Sequence, residues 1–452
     1  MNTQYEDQLG AAPIIPLMAK MAIPSVLAQL INLLYNIVDR IFIGHIEAIG
    51  TDALAGVGVT SSIIILVASF AQFVGGGGAP LAAIALGEGK RERAHFILGN
   101  GFCLLIFMSA LCMAVVYIFM TPILMLIGAS DVTLVYAQDY LSVYMLGTFF
   151  VMVTTGLNAF ISTQGRPGIA MFSVIIGAVL NIVLDPLFIY TFHGGVKGAA
   201  YATVLSQAVS ALWILFFLFS SRASLRLKPG YFKPDGNTLK NIFRLGISPF
   251  VMASTESLVG FALNGRLAIY NDLYVSAMTV MQSAMTIVST PIQGFTQGIV
   301  PLISYNFGKK DSVRFRKIVK YFFIFITSVN ALLTILVIIF SSFVADLFTQ
   351  DEALIAIVCQ MMPVFMFGMV VFGLQRACQN TFVATGQAGI SLFIAILRKI
   401  ILLIPLVFLI SHFMGVTGVY LAEGIADFTA ATICTIIFIL KYKKLTGRLE
   451  EA

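Results

Sequence analysis

The stretch APLAAIALGEGKR at 79–91 returns as VPLISYNFGKKDS at 300–312, with Pro80 matched to Pro301 and Gly87 to Gly308. Two further pairs keep the register. STQGRPGIAMF (162–172) resembles VATGQAGISLF (383–393), and GVKGAAYATVLSQ (195–207) resembles GVTGVYLAEGIAD (415–427). The offset stays at about 220 residues, which marks an internal duplication. The chain therefore divides into an amino-terminal half, 1–220, a polar linker, 221–239, and a carboxy-terminal half, 240–452. Pro229, Gly230, Pro234 and Gly236 punctuate the linker.

Each half is strongly apolar. The 452 residues are 59% hydrophobic and only 11% charged, with a mean hydropathy of +0.96. That excludes an ordinary soluble domain. Charges cluster between long apolar runs, which read as twelve membrane spans: 15–43, 53–84, 95–120, 134–162, 168–191, 196–219, 240–269, 275–306, 316–344, 354–384, 388–411 and 416–440. Pro24, Pro80, Pro249, Pro291, Pro301, Pro363 and Pro405 fall inside them as candidate kinks. Six spans per half is an even number, so both halves enter the membrane in the same sense. The expected fold is all-α, two parallel-repeat six-helix lobes around a central cavity.

The net charge of +6 would suit nucleic acid, but its distribution explains it otherwise. Lys90, Arg91, Arg93, Arg166, the 222–244 stretch, the 309–320 stretch and the 441–448 tail share one side of the membrane. The opposite loops hold Lys197 as their one cation, with Glu47, Asp52, Asp131, Asp272, Asp346, Asp351 and Glu352. This asymmetry predicts a multi-pass protein of the inner (plasma) membrane with both termini cytoplasmic, membrane lipids around it and no nucleic-acid partner. The opening MNTQYEDQLG lacks a basic n-region, so no cleavable leader is expected.

The polar residues inside the spans carry the functional argument. In LNIVLDPLFIY (180–190), Asn181 and Asp185 stand one helical turn apart on one face. A carboxylate within a bilayer is costly and marks a functional site by default. Pro186 frees a backbone carbonyl one turn upstream. Two side-chain oxygens beside a loosened backbone suit a proton or a small hard cation. Gln29, Asn32, Asn36 and Asp39 form a stripe on the first span, at spacings of three, four and three. Asp39 is the second buried acid of that half. The repeat counterpart of 180–190 is KIILLIPLVFL (399–409), with Pro405 standing for Pro186, where Ile or Leu replaces both oxygen-bearing residues. Cation chemistry is therefore expected in the first half.

Acids recur elsewhere in the second half. Glu256 lies in the seventh span, and Glu423 and Asp427 lie one turn apart in the twelfth. Arg266, Arg376, Arg398 and Lys399 are their available partners. Structural ion pairs are one reading; a second protonation site or an acidic patch for cationic substrates is the other. Met281 and Met285, with other Met and Phe residues, suit walls that accept varied amphiphiles, although such residues also serve as plain packing. The five Cys and four His lack metal-ligand spacing. GGGG at 75–78 is not followed by Lys-Ser/Thr, so no phosphate loop is present. No nucleophile–base pair suggests an enzyme. Without a nucleotide site, an ion gradient must supply the energy.

VDRIFIG (38–44), NIVLDP (181–186), GAAYAT (198–203) and PLISYNFG (301–308) together resemble the multidrug and toxic compound extrusion (MATE) family, in order and over nearly the whole chain. The resemblance implies two six-helix bundles in a V, acting as a secondary antiporter. It would export small amphiphilic, often cationic, compounds against inward H+ or Na+, as a monomer without a cofactor. It also implies that Asp39, Asn181, Asp185 and Thr203 form the cation site, holding Na+ where Na+ is the ion. Asn158 matches a polar position nearby, and the Glu256 position carries an acid in some branches. A flippase for a lipid-linked precursor on a related two-lobe plan is the alternative. It would bring extra spans or a strongly cationic cavity.

Overall fold

The computed structural model describes residues 4–46 and 49–450. Glu47, one of the acids used to orient the chain, lies outside them. Among the described residues the regular structure is entirely helical. A short helix, Gln4–Ala11, precedes twelve crossing segments. These are α1 (Ile14–Gly44), α2 (Gly50–Gln72, continued as Phe73–Gly78 and Ala79–Gly87), α3 (Arg91–Ile127) and α4 (Asp131–Leu146 with Thr148–Thr163). Next come α5 (Pro167–Pro186 with Leu187–Thr191), α6 (Gly195–Phe219), α7 (Gly236–Ala268), α8 (Asp272–Gly308) and α9 (Ser312–Ile339). The last are α10 (Glu352–Met366 with Met369–Ala384), α11 (388–414) and α12 (415–450).

Most of these helices are long and apolar enough to cross a membrane on their own. α4 and α10 do so only as bent pairs, and two further cases need the fold to resolve them. Residues 388–447 form one apolar helical run of 60 residues. Gly415, at φ 58 and ψ −137, breaks it into α11 and α12. The polar series Gln282, Thr286, Thr290, Gln293, Thr296 and Gln297 lowers the hydropathy of α8, which is nonetheless 37 residues long.

The duplication is visible in the irregularities. α4 bends by 58° at residue 147 and α10 by 41° at 367–368. α5 opens into a π-helical turn just after Pro186, at Leu187–Thr191, and α11 just before Pro405, at Leu397–Leu403, so the two turns share the helix but not the register. Positive-φ residues do recur in register: Gly165 with Gly386, Gly195 with Gly415, and Gly89 with Lys310. Shared backbone departures are harder to acquire by chance than shared apolar runs.

The lobes join at the end that carries the termini and the basic loops. One hydrophobic core runs through the first lobe and on into Ile242, Ile292–Tyr305, Phe315–Ile326 and Cys434–Leu449 of the second. The other end of the second lobe, Val259–Val288 with Val344–Phe372 and Leu403–Ala426, packs as a separate core with no first-lobe member. The result is a V whose closed end includes α7 Gly246 against α2 Phe73 and Gly77, and α8 Gly294 and Gly298 against α1.

The linker is less loose than its composition suggests. Asn100 accepts from Asp235 N and donates to Lys233 O, and Gln164 accepts from Ser224 N and Leu225 N. Helix α7 already begins at Gly236, capped by Asp235 on Thr238 N. The Thr238 hydroxyl, and then its backbone N–H, hold the exposed Asp235 carboxyl below its ordinary pKa.

Candidate cation site

Helix α5 brings Asn181 and Asp185 to one face, where the Asn181 amide donates to Asp185 Oδ1 at 3.0 Å. The same amide reaches Thr203 Oγ1 of α6 at 3.4 Å. Asp39 of α1 lies within hydrogen-bonding reach of Asp185. All four residues are buried, Asp185 completely. Tyr190, in the π-turn below Pro186, donates to Phe42 O of α1 at 2.7 Å and ties the two helices beside the acids. The four residues expected from the sequence therefore converge.

Their unsatisfied atoms say what the site can hold. Asp39 Oδ1, Asn181 Oδ1 and Asp185 Oδ2 are buried and have no hydrogen-bond donor. Arg40 is exposed and forms no ion pair with its neighbour Asp39. Buried acceptors are nearly always satisfied, so this group lacks a positive centre. Three oxygens and a nearby hydroxyl are a donor set for Na+, or for a proton shared between two carboxyl groups.

Sequence reasoning missed the aromatic collar. Tyr35 reaches Gln207 and Asn36, Tyr140 reaches Thr203, and Tyr35, Tyr140 and Tyr144 all lie within electrostatic range of Asp39. The Tyr140 and Tyr144 rings stack at 5.9 Å. The i, i+4 spacing of these two in the fourth span was the available signal.

Other expected residues sit apart from this cluster. Gln29 donates to Gln297 of α8 at 2.9 Å and bridges the lobes. Asn36 donates to Asn32 O at 2.6 Å and is exposed. Asn158 pairs with Ser173 at 3.0 Å, joining α4 to α5 two turns before Asn181. Met281 is wholly buried in the packing of the second lobe and lines no open space here. Met285 is half-buried against that core.

The second-lobe acids meet cations. Arg398 Nη2 lies 3.2 Å from Glu423 Oε1, and Arg398 Nε binds Asp427. Lys399 Nζ lies 3.2 Å from Glu256 Oε2. Arg398 and Arg376 stand over the Phe372 ring, at 4.1 and 5.1 Å. Arg266 turns away to Ser411 Oγ. Three acids thus share two cations, Arg398 and Lys399, whereas Asp39 and Asp185 form no ion pair among the described residues. Among the described residues, no group of three or more His, Cys, Asp or Glu gathers to hold a metal ion.

A family model described as MatE matches residues 24–187 and 250–409. The chain belongs to the MatE family. Its two matched blocks are the two repeats. A multidrug export protein, MepA, of Staphylococcus haemolyticus is 25% identical over 432 residues, covering 96% of this chain and 94% of the relative. The solved structure of a MATE protein in a bent conformation has a TM-score of 0.91 at 22% identity, covering 99% of both chains. An outward-facing multidrug resistance MATE family transporter scores 0.89 at 22% identity and covers 98% of both. The chain is thus a multi-pass membrane transporter of this family with its two-lobe fold.

Proposed function

We propose that this protein exports small amphiphilic, often cationic, compounds from the cell in exchange for inward H+ or Na+, by alternating access. The observation that carries the reading is the buried first-lobe cluster whose three oxygens lack any donor. A buried pair of acids with no lysine or arginine paired to it suits an ion that arrives and leaves. The multidrug export function named for the staphylococcal relative supports the substrate class.

The moving units on this reading are residues 1–220 and 240–452, joined by 221–239. Asp39 and Asp185 stand on different helices, so an ion between them draws α1 toward α5. Asp39 lies three residues from Phe42, whose carbonyl is held by Tyr190 of the π-turn. A shift at the acids is thereby passed to the backbone of both helices. Ion and substrate affinities would be linked reciprocally through this movement. The basic loops support a closed end of the V on the cytoplasmic side of the plasma membrane. The V then opens outward, the state in which substrate leaves and the ion enters. The transporting unit is one chain, since both lobes and the space between them come from it.

Substrate uptake into inside-out vesicles tests this, with the pH and Na+ gradients collapsed separately. Loss of uptake with one of the two identifies the coupling ion. Undiminished uptake with both collapsed would sink the antiport reading.

A further inference from the structure

Glu256 and Lys399 form an ion pair of unlike members. The Glu256 side chain is 58% exposed and that of Lys399 6%. Glu256 stands seven residues beyond Pro249, so the two share a face of α7. Pro249 packs against Gly76 of the first lobe. Glu256 lies two turns further along, at the end where the second lobe packs as a separate core, and its carboxylate is open while the Lys399 ammonium is buried. Something arriving there meets the carboxylate first, with the ammonium behind it.

Glu423, behind Lys399, has an acceptor to spare. Its Oε1 is taken by Arg398, while Oε2 is buried and has no hydrogen-bond donor. Lys399 already lies within electrostatic range of it. Arg398 is already engaged by Glu423 Oε1, Asp427 and the Phe372 ring. Arg376 forms no ion pair and interacts with Glu256 and Asp427 at longer range. Lys399 has one ion-pair partner, four rotatable bonds and three donors to redirect.

We propose that Lys399 is a mobile counter-ion: a monocationic amphiphile entering between the lobes takes Glu256, and the Lys399 ammonium passes to Glu423. The inference rests on the export reading and adds to it the charge of the substrate. Displacing one member of an ion pair leaves the other unpaired, which is prohibitive for a buried ammonium. The free Glu423 oxygen removes that penalty. Lys399 then sets specificity. It competes for Glu256 with every incoming cation, so weakly binding cations and inorganic ions are turned away, while amphiphiles with added apolar contacts succeed.

The test is equilibrium dialysis of the purified full chain in detergent, without a gradient. The probes are tetraphenylphosphonium and uncharged triphenylphosphine oxide. Lys399→Met should tighten tetraphenylphosphonium about tenfold and leave the oxide unchanged, within the range of intramolecular couplings. Glu423→Gln should weaken tetraphenylphosphonium about fivefold, although Glu423 does not touch the probe. In the Lys399→Met background, Glu423→Gln should have no effect. Equal weakening in both backgrounds, or none in either, would overturn the handover. If Glu423→Gln also loses the oxide, Lys399→Met decides alone, and an unchanged cation affinity overturns the proposal. A wild-type protein that binds as described but transports without a gradient would refute the antiport and leave this inference standing.

Discussion

Gly246→Ala is the sharpest probe of the closed end of the V. A Cβ at Gly246 would lie 2.5 Å from both Phe73 Cα and Phe73 O, and one at Gly77 would lie 2.5 Å from Gly246 N. The neighbours are backbone atoms in a π-helical turn, so no side chain can rotate away. Comfortable carbon contacts need about 3.5–4.0 Å, so the helices must part by about 1 Å. Overpacking of this kind costs about 1–3 kcal/mol. The cost falls on the state in which α2 and α7 touch, and a state opened at this end escapes it. The ratio of the two states should shift about 5- to 150-fold toward opening. Spin labels at Arg93 and Lys317, in a background without the five native cysteines, would report the separation by pulsed electron resonance. Gly260→Ala, on the same helix with nothing within 4 Å of its added Cβ, controls for helix propensity. A longer distance population in Gly246→Ala alone is expected. Identical distributions for both variants would refute the claim that this contact limits closure.

Two further outcomes follow from single atoms. Asp39→Asn and Asp185→Asn should each reduce gradient-driven efflux to background while retaining normal expression and melting behaviour. Full efflux by the double variant would move the coupling site elsewhere. Asn100→Ala removes bonds to Phe96 O, Lys233 O and Asp235 N at a buried position. It should lower stability by about 1–3 kcal/mol and expose the 221–235 linker to protease, read by thermal unfolding and limited proteolysis.

The span count and the convergence of Asp39, Asn181, Asp185 and Thr203 were legible because each rests on a local rule. Apolar runs bounded by charges give spans, and an i, i+4 pair of oxygen side chains in such a run gives a site. What escaped depends on helix rotation. Tyr35, Tyr140 and Tyr144 look like interfacial tyrosines until packing turns them toward Asp39. Lys399 and Arg398 are adjacent in sequence, yet the π-turn sends one to Glu256 and the other to Glu423 and Asp427. Met281 was indistinguishable from a cavity residue for the same reason. Nothing in the composition of 221–239 announced that Asn100 and Gln164 would stitch it down.

The two lobes use one scaffold for opposite electrostatic ends. In both, the fifth helix of the repeat opens into a π-turn close to a proline, and the first, fifth and sixth helices supply the polar groups. In the first lobe those groups are acids and amides with oxygens to spare. In the second, the π-turn itself carries Arg398 and Lys399, and the neighbouring acids are paired. An acid with a tethered cation needs no ion from solution, while an unpaired buried acid does. Solution ions should therefore be exchanged in the first lobe. Organic cations should be met at the second lobe, where one of the pairs leaves its carboxylate open. Separating the two sites in this way lets ion and substrate bind at different times, as exchange requires. If both competed for one acid, direct displacement would suffice, and Lys399→Met would alter ion affinity and substrate affinity together.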